Sequence, residues 1–201
     1  MKPIVIASKN PDKLAEIKRL LKGLSVKVLS LNDFSRCKEV KETGKTFEAN
    51  ARLKARYYSK HTRSLVLADD SGLMVHALNG RPGVYSARFA GEGATDEKNN
   101  QKLLRLLKGM PLRRRQARYR CFVALADGEK IIDVVSGSCS GLIAQKPKGT
   151  NGFGYDPLFL IPRYKKTFGE LDPNIKAKIS HRSHTLKKFR KTIEKYSLGR
   201  Q

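Results

Sequence analysis

The sequence has few cysteines and no long apolar stretch, and each shortage argues against a class of protein. The three cysteines, Cys37, Cys121 and Cys139, are scattered and odd in number. We therefore expect neither a disulfide framework nor a zinc site, and we expect a cytoplasmic location. The longest apolar runs, such as 121–126, have the length of a core strand and are too short to span a bilayer. The N-terminus has no extended apolar segment ending in small residues, so we expect neither a signal peptide nor a membrane partner.

Acidic residues are scarce as well. The chain has 42 lysines and arginines against 18 aspartates and glutamates, which gives a formal net charge of +24. Such a field attracts polyanions and keeps nucleic acids, nucleotides and acidic membranes open as partners. The charge is spread along the chain, with its densest clusters at 113–120 and 187–191, and a solvated basic surface explains it equally well. Because no basic stripe with interleaved aromatic residues is present, we expect no specific nucleic-acid partner.

The distribution of apolar residues indicates an α/β protein without internal repeats or a linker. The predicted strands are 3–8, 25–29, 64–68, 118–126, 130–136 and 138–144, and Asp127-Gly128 is typical of a hairpin turn. The predicted helices follow the capping residues Asn10, Thr46, Thr95 and Ser180. We therefore predict a single domain, residues 1–201, with a mixed twisted sheet, flanking helices and two lobes that enclose a nucleotide cleft.

The turn Ser8-Lys9-Asn10-Pro11-Asp12-Lys13 lies where the first strand ends and the first helix begins. Free backbone N–H groups and the positive end of the helix dipole point there, so the turn can hold an anion. Lys13 can add a point charge to a phosphate. A capped helix start with solvated lysines is the alternative, and the glycines of a Walker A loop are missing.

Asp69 and Asp70 form a second candidate, at what the pattern predicts to be the carboxyl end of a buried strand. Open α/β sheets place their ligands at such ends. Paired carboxylates suit Mg²⁺, a hard ion that prefers oxygen ligands and carries phosphates with it. One carboxylate could also orient or deprotonate a water. The alternative is a solvated turn of the Asp-Ser-Gly type that includes Ser71.

Two further segments could contact a base. In Gly152-Phe153-Gly154-Tyr155-Asp156-Pro157, aromatic residues between glycines put a ring on a loop, where a flat base can stack. A structural turn with core aromatics is the alternative. In Ser180-His181-Arg182, helix-start N–H groups beside His and Arg can bind an anion or a carbonyl oxygen. The alternative there is a capped helix with exposed basic residues.

Six stretches, in this order, resemble the inosine triphosphate pyrophosphatase family. They are Ser8 to Lys13 with Glu16; Thr46-Phe47, Asn50-Ala51 and Lys54-Ala55; Leu67 to Leu73; Pro82 to Arg88; Gly152 to Pro157; and Lys176 with Ile179 to Arg182. The resemblance covers nearly the whole chain. It implies a Mg²⁺-dependent enzyme, typically a homodimer, that hydrolyses deaminated purine nucleoside triphosphates (ITP, dITP and XTP) to the monophosphate and pyrophosphate.

The resemblance also implies roles for individual residues. The triphosphate would be held by Ser8, Lys9, Asn10, Pro11, Asp12, Lys13 and Lys54. Asp70 would bind Mg²⁺ and accept a proton from the attacking water, and Ser71 would touch the nucleotide. The base and sugar side of the pocket would be formed by Phe153, Gly154, Tyr155, Asp156, Lys176, His181 and Arg182. A donor such as Arg182 would bind the six-position carbonyl of hypoxanthine or xanthine, where adenine presents a second donor.

One stretch departs from the family pattern. The family often has paired acids shortly before the Thr-Phe of the second helix, where this chain has Lys41-Glu42. It also commonly has Glu before the helix Asn, where this chain has Ala49. We choose Glu42 as the second metal ligand beside Asp70.

Two other functions stay open at this point. A nucleic-acid-binding protein would account for the charge, although the chain shows no recognisable binding module. A hydrolase for modified pyrimidine nucleotides on a related fold is the other, and the base-side stretches argue against it. A panel of nucleoside triphosphates would separate these functions.

Overall fold

The computed structural model describes residues 3–24, 26–34 and 37–198. Its strands are β1 (Ile4–Ile6), β2 (Val28–Ser30), β3 (Leu65–Val75), β4 (Gln116–Asp127), β5 (Lys130–Ile143), β6 (Phe159–Ile161) and β7 (Lys166–Thr167). Its α-helices are α1 (Pro11–Leu21), α2 (Phe47–Thr62), α3 (Asp96–Leu106), α4 (Pro173–Ile179) and α5 (His181–Leu198). The strands hydrogen-bond in the order β2-β1-β3-β4-β5-β6-β7.

The sheet is mixed. Strand β1 pairs in parallel with β2 and β3, whereas β6 pairs in antiparallel fashion with β5 and β7. Together with the helices, this confirms the predicted α/β class and its mixed sheet. The chain divides into two compact units. The first contains the described parts of Met1–Asp70, Cys121–Gly137 and Arg182–Gln201, and the second contains Ser71–Arg120 and Ser138–His181.

The first unit buries its strands on both faces, which is why β1 and the start of β3 are unbroken apolar runs. Alternate strand residues point to opposite faces. One face joins α1 and α5 through a cluster that includes Ile4, Ile6, Leu65, Leu67, Leu14, Ile17, Leu186 and Phe189. The other face joins α2 through a cluster that includes Val5, Val66, Ala68, Ala51, Ala55 and Tyr58.

The second unit has its own aromatic core. Helix α3 contributes Leu103 to a buried cluster with Leu73 and Val75 of β3. The same cluster contains the rings of Tyr119 in β4, Phe159 in β6 and Phe168 directly after β7. Those rings pack at a tilt to one another: the Tyr119 and Phe159 centroids are 4.7 Å apart, and the Phe159 and Phe168 centroids are 5.1 Å apart. Tilted aromatic pairs at such distances add stability beyond the apolar area that they bury. Tyr155 belongs to this core, which therefore supports the loop 152–157.

Several predicted elements have different bounds in the structure. The second strand is Val28–Ser30 instead of 25–29, and Ser25 lies outside the described residues. The segments 130–136 and 138–144 form one strand, β5, and β6, β7 and α4 correspond to no predicted element. These three elements are short and give too few residues for a periodic pattern. Helices α1, α2 and α3 begin after Asn10, Thr46 and Thr95 as predicted.

The prediction for 64–68 was wrong in a way that matters for function. Strand β3 continues to Val75, so Asp69 and Asp70 lie in its middle and not in a turn at its end. Asp69 is 2% exposed and Asp70 is 6% exposed. Aspartate is uncommon in strands, but its unfavourable strand propensity is at most about 1 kcal/mol, and tertiary contacts can override it. In this strand the overriding contacts are ion pairs, which Asp69 makes with Lys13 and Arg182 and Asp70 makes with Lys54.

The cap of α2 offers a test of how firmly the helix start is held. The Thr46 hydroxyl accepts a hydrogen bond from Ala49 N at 3.1 Å. Thr46→Ala leaves that N–H without its partner, so we expect the free energy of unfolding to fall by about 0.5–2 kcal/mol. Thr46→Ser retains the oxygen and should stay close to the parent protein. Chemical denaturation checks both, and equal losses in the two variants would contradict the capping role.

Candidate active site

The turn between β1 and α1 is a capped helix start with an exposed surface. Asn10 Oδ1 accepts a hydrogen bond from Lys13 N at 2.9 Å, and Ser8 Oγ accepts one from Asn10 N at 3.2 Å. Residues 9–12 are exposed, and Pro11 is the first helical residue. The geometry therefore matches the predicted turn, and its binding of phosphate stays a prediction. The side chain of Lys13 extends towards β3, where its Nζ lies 3.4 Å from Asp69 Oδ2.

Strand geometry sends the two neighbouring aspartates of β3 to opposite faces. Asp69 continues the face of Leu65 and Leu67, which meets α1 and α5. Asp70 continues the face of Val66 and Ala68, which meets α2. One strand thus supplies a carboxylate to each of two separate charge clusters. Ser71 follows in the same strand and is half-buried.

Asp70 lies in a cluster of two carboxylates around one ammonium. Lys54 Nζ donates to Asp70 Oδ1 at 3.1 Å and to Glu42 Oε1 at 2.7 Å. The other oxygen of Asp70 accepts from Asn50 Nδ2 at 3.2 Å. Lys54 and Asn50 are one helical turn apart on α2, so this helix fixes both oxygens of the carboxylate.

The loop that carries Glu42 is tied to the same helix. Gly44 N donates to Asn50 Oδ1 at 2.7 Å, so one buried amide links this loop to Asp70. A Cβ at Gly44 would lie 2.5 Å from Asn50 Oδ1, which makes glycine necessary at that close approach. Lys41 is exposed, whereas Glu42 reaches Lys54. The structure therefore brings Glu42 and Asp70 to one ammonium, and the role of Glu42 as the second metal ligand stays a prediction.

Burial and charge oppose each other in this cluster. Burial raises the pKa of Asp70, the Lys54 ammonium lowers it, and the negative charge of Glu42 raises it, with a net pKa above the ordinary value. Burial alone would lower the pKa of Lys54, but Asp70 and Glu42 outweigh it and raise that pKa. Lys54 therefore stays charged, and Asp70 is a better proton acceptor than an exposed aspartate.

Asp69 lies in a different cluster, with cations from two helices. Its Oδ2 is 3.3 Å from Arg182 Nη2 and 3.4 Å from Lys13 Nζ, and Arg182 Nη1 donates to Glu16. Burial alone would lower the pKa of Arg182, but Asp69 and Glu16 raise it above the ordinary value. The structure thus pairs Arg182 with two carboxylates in the first unit. Its proposed contact with a base remains a prediction.

The residues around Lys54 fit a divalent cation in chemical type. Among the described residues there is no group of three His, Cys, Asp or Glu side chains that could hold a metal alone. Glu42 and Asp70 nevertheless converge on a single cationic atom, the ammonium of Lys54. Two carboxylates are enough protein ligands for Mg²⁺, because this ion is usually held by one or two carboxylates together with substrate phosphates and water.

In the second unit the loop 152–157 holds an aromatic ring beside an ammonium. Asp156 Oδ2 accepts from Phe153 N at 2.9 Å and from Lys176 Nζ at 2.7 Å. The Lys176 ammonium lies 4.8 Å from the centroid of the Phe153 ring. Gly152 has φ +78°, and a Cβ there would lie 2.0 Å from Asp156 Oδ2. The loop therefore closes on its own carboxylate, and Phe153 is left half-buried.

His181 is not the exposed basic residue of the alternative interpretation, and its place on the base side stays a prediction. It is buried and stacks on Tyr119, with ring centroids 4.6 Å apart and planes 11° apart. Burial, and then Asp156, raise the pKa of Tyr119 well above its ordinary value, so its hydroxyl stays protonated. Sequence reasoning did not select Tyr119 or Asn50 for a role. Asn50 lay within a stretch that resembled the family, but its bonds to Gly44 and Asp70 follow only from the fold.

The chain resembles known proteins along nearly its whole length. A sequence model of the Ham1 family matches residues 4–192. A dITP/XTP pyrophosphatase of Bacillus cereus is 47% identical and covers 99% of this chain, which covers 98% of that protein. One from Desulforamulus reducens is 51% identical, with 92% of each chain covered. A solved Ham1 protein from Coxiella burnetii has a TM-score of 0.89 at 42% identity, with 97% of this chain and 100% of that one covered. No helix among the described residues has the length and apolar character needed to cross a membrane.

Replacing Lys54 tests whether this ammonium holds the two carboxylates. Lys54→Met leaves the buried Asp70 and the half-buried Glu42 without this ammonium, so without added Mg²⁺ the free energy of unfolding at about pH 7 should fall by roughly 3–5 kcal/mol. The pKa of Asp70 is already above its ordinary value, and it rises further in the variant because the Lys54 charge is gone. A carboxyl group whose pKa is raised by folding destabilises the folded protein when it is ionised, and protonation removes this cost. The loss should therefore shrink as pH falls towards about 4. Urea denaturation across this range measures it.

Lys60→Met is the matched control, because Lys60 lies on the same helix and pairs with Glu129 at 2.9 Å. Both of these side chains are exposed, so the free energy of unfolding should hardly change. A Lys54→Met loss that is the same at both ends of the pH range would mean that packing, and not charge, explains it.

Proposed function

The chain belongs to the Ham1 family, and on that premise we propose that it hydrolyses deaminated purine nucleoside triphosphates (ITP, dITP and XTP) to the monophosphate and pyrophosphate. The observation that supports this most directly is the Asp70, Lys54 and Glu42 cluster. It combines a fixed carboxylate of raised pKa with an ammonium and a second acid. Such a set can bind a phosphate–metal complex and accept a proton from water.

Asp70 orients the attacking water and takes its proton. Asn50 and Lys54 hold its two oxygens, so the carboxylate is aimed before the substrate arrives. Water then attacks phosphorus in line, the anhydride bond to the leaving pyrophosphate breaks, and the nucleoside monophosphate remains. Lys13 and Lys54 stabilise the negative charge that develops on phosphate oxygens. Glu42 and Asp70 would hold Mg²⁺, and the bound ion would neutralise charge on the phosphates.

The other predicted residues bind different parts of the substrate. The turn of Ser8 to Lys13 and Lys54 binds the triphosphate, and Ser71 touches the nucleotide. Phe153 stacks on the base beside Lys176, and Gly154, Tyr155 and Asp156 shape that loop. His181 and Arg182 supply donors to the six-position carbonyl. The enzyme works in the cytoplasm, as the few scattered cysteines indicate, and as a homodimer, as the family resemblance implies.

A pyrophosphate-release panel tests the substrate class. We expect turnover of ITP, dITP and XTP at far higher kcat/KM than of ATP, because a site built around a buried hydrogen bond can reject a mismatch by about 10⁴-fold or more. Turnover should require Mg²⁺. Equal rates with ATP, or a preference for modified pyrimidine nucleotides, would contradict the proposal. Tight, sequence-selective nucleic-acid binding that survives physiological salt would favour the nucleic-acid function instead.

Asp70→Asn tests the proposed base and ligand. The amide keeps the shape of the side chain but removes the charge that binds metal and orients water, so most turnover should be lost. Circular dichroism should show an intact fold. The exposed Glu129→Gln variant, which removes a distant acid, should retain the parent rate. Near-normal rates for Asp70→Asn across a Mg²⁺ titration would remove Asp70 from the mechanism.

A further inference from the structure

Helix α3 holds the peptide groups on both sides of Gly154. Asp96 Oδ2 accepts a hydrogen bond from Gly154 N at 2.6 Å, and Asn100 Nδ2 donates one to Gly154 O at 2.9 Å. Residues four apart on a helix lie on the same face, which lets two side chains grip one residue. Asn100 is 8% exposed, and its Oδ1 is buried with no hydrogen-bond partner among the described residues. The bond to Gly154 is therefore the polar contact that holds this amide.

Each residue that follows Phe153 is anchored to a different part of the second unit. Gly154 is held by α3, and the Tyr155 hydroxyl donates to Ser86 O at 2.8 Å. Asp156 binds Lys176 and the amide of Phe153. Because three consecutive residues are fixed, the ring of Phe153 has little freedom to leave its place beside the Lys176 ammonium.

We propose that Asp96 and Asn100 are positioning residues for Phe153, and that through Gly154 they set the affinity for the purine base. The proposal rests on the proposed function, in which Phe153 stacks on that base. Neither residue contributes to the phosphate chemistry, which belongs to the first unit. Their loss should therefore act on KM for a purine nucleotide and leave kcat nearly unchanged. It should also leave the binding of a phosphate chain without a base unchanged.

Steady-state kinetics with ITP and competition by inorganic tripolyphosphate separate these effects. We expect Asn100→Ala and Asn100→Asp to raise KM for ITP about tenfold, because each loses a part-buried hydrogen bond to a carbonyl. Asp96→Ala should raise it by a smaller factor, since its bond is exposed. Asp96→Asn keeps an acceptor oxygen and should restore the parent KM. The inhibition constant of tripolyphosphate should not change in any of these variants.

Asn99→Ala is the matched control for a purely structural effect. Asn99 is as deeply buried on the same helix, but its amide binds Ala87 O and Ala90 N instead of Gly154. It should lower the melting temperature without changing KM selectively. An unchanged KM in both Asn100 variants would overturn the inference. So would a rise in the tripolyphosphate inhibition constant equal to the rise in KM.

Calorimetric binding of inosine 5′-monophosphate keeps this test separate from the proposed function. A parent protein that releases no pyrophosphate from ITP would contradict the function. The positioning role would still be supported if that protein binds the monophosphate and the Asn100 variants bind it more weakly. It would be overturned if the variants bind equally well, or if the parent protein itself does not bind.

Discussion

Two neighbouring carboxylates are buried on opposite faces of one strand, and each is stabilised there by cations. A buried ionised carboxylate without a partner is costly, and removing its cation usually destabilises a protein by about 3–5 kcal/mol. Asp69 meets Arg182 and Lys13, and Asp70 meets Lys54. Since the alternation of side chains along β3 separates the two sites, one dipeptide organises two charge clusters.

The placement of distant segments follows from this constraint. Helix α2 has to bring Lys54 and Asn50 to Asp70, and Asn50 in turn fixes the loop that carries Glu42. The start of α5 has to bring Arg182 to Asp69. The second unit uses the same device on its own scale, because Asp156 binds Lys176 and orients Phe153. In both units a buried carboxylate paired with a lysine holds the groups to which we assign chemistry or recognition.

Much of the fold follows from local patterns in the sequence, but the partners of its buried charges do not. Helix caps at Asn10, Thr46 and Thr95 are short-range signals and were predicted correctly. The continuation of β3 through Asp69 and Asp70 was missed, because it depends on cations far away in sequence. The family resemblance identified Asp70, Lys54 and Glu42 as candidates. Only the fold shows that Asp70 and Glu42 share the ammonium of Lys54. The hydrogen bond from Asn100 to Gly154 likewise joins residues that are far apart in sequence.

The most direct test of this account is the binding of Mg²⁺ in the presence of a non-hydrolysable ITP analogue, measured by calorimetry. If Glu42 and Asp70 hold the metal together, Glu42→Gln and Asp70→Asn should each weaken Mg²⁺ binding at least about tenfold, as loss of a carboxylate near a metal typically does. Glu48→Gln, which alters a half-buried acid paired with Arg52 on α2, should bind Mg²⁺ like the parent protein. Equal Mg²⁺ affinity in all four proteins would contradict the assignment of this cluster as the reaction centre.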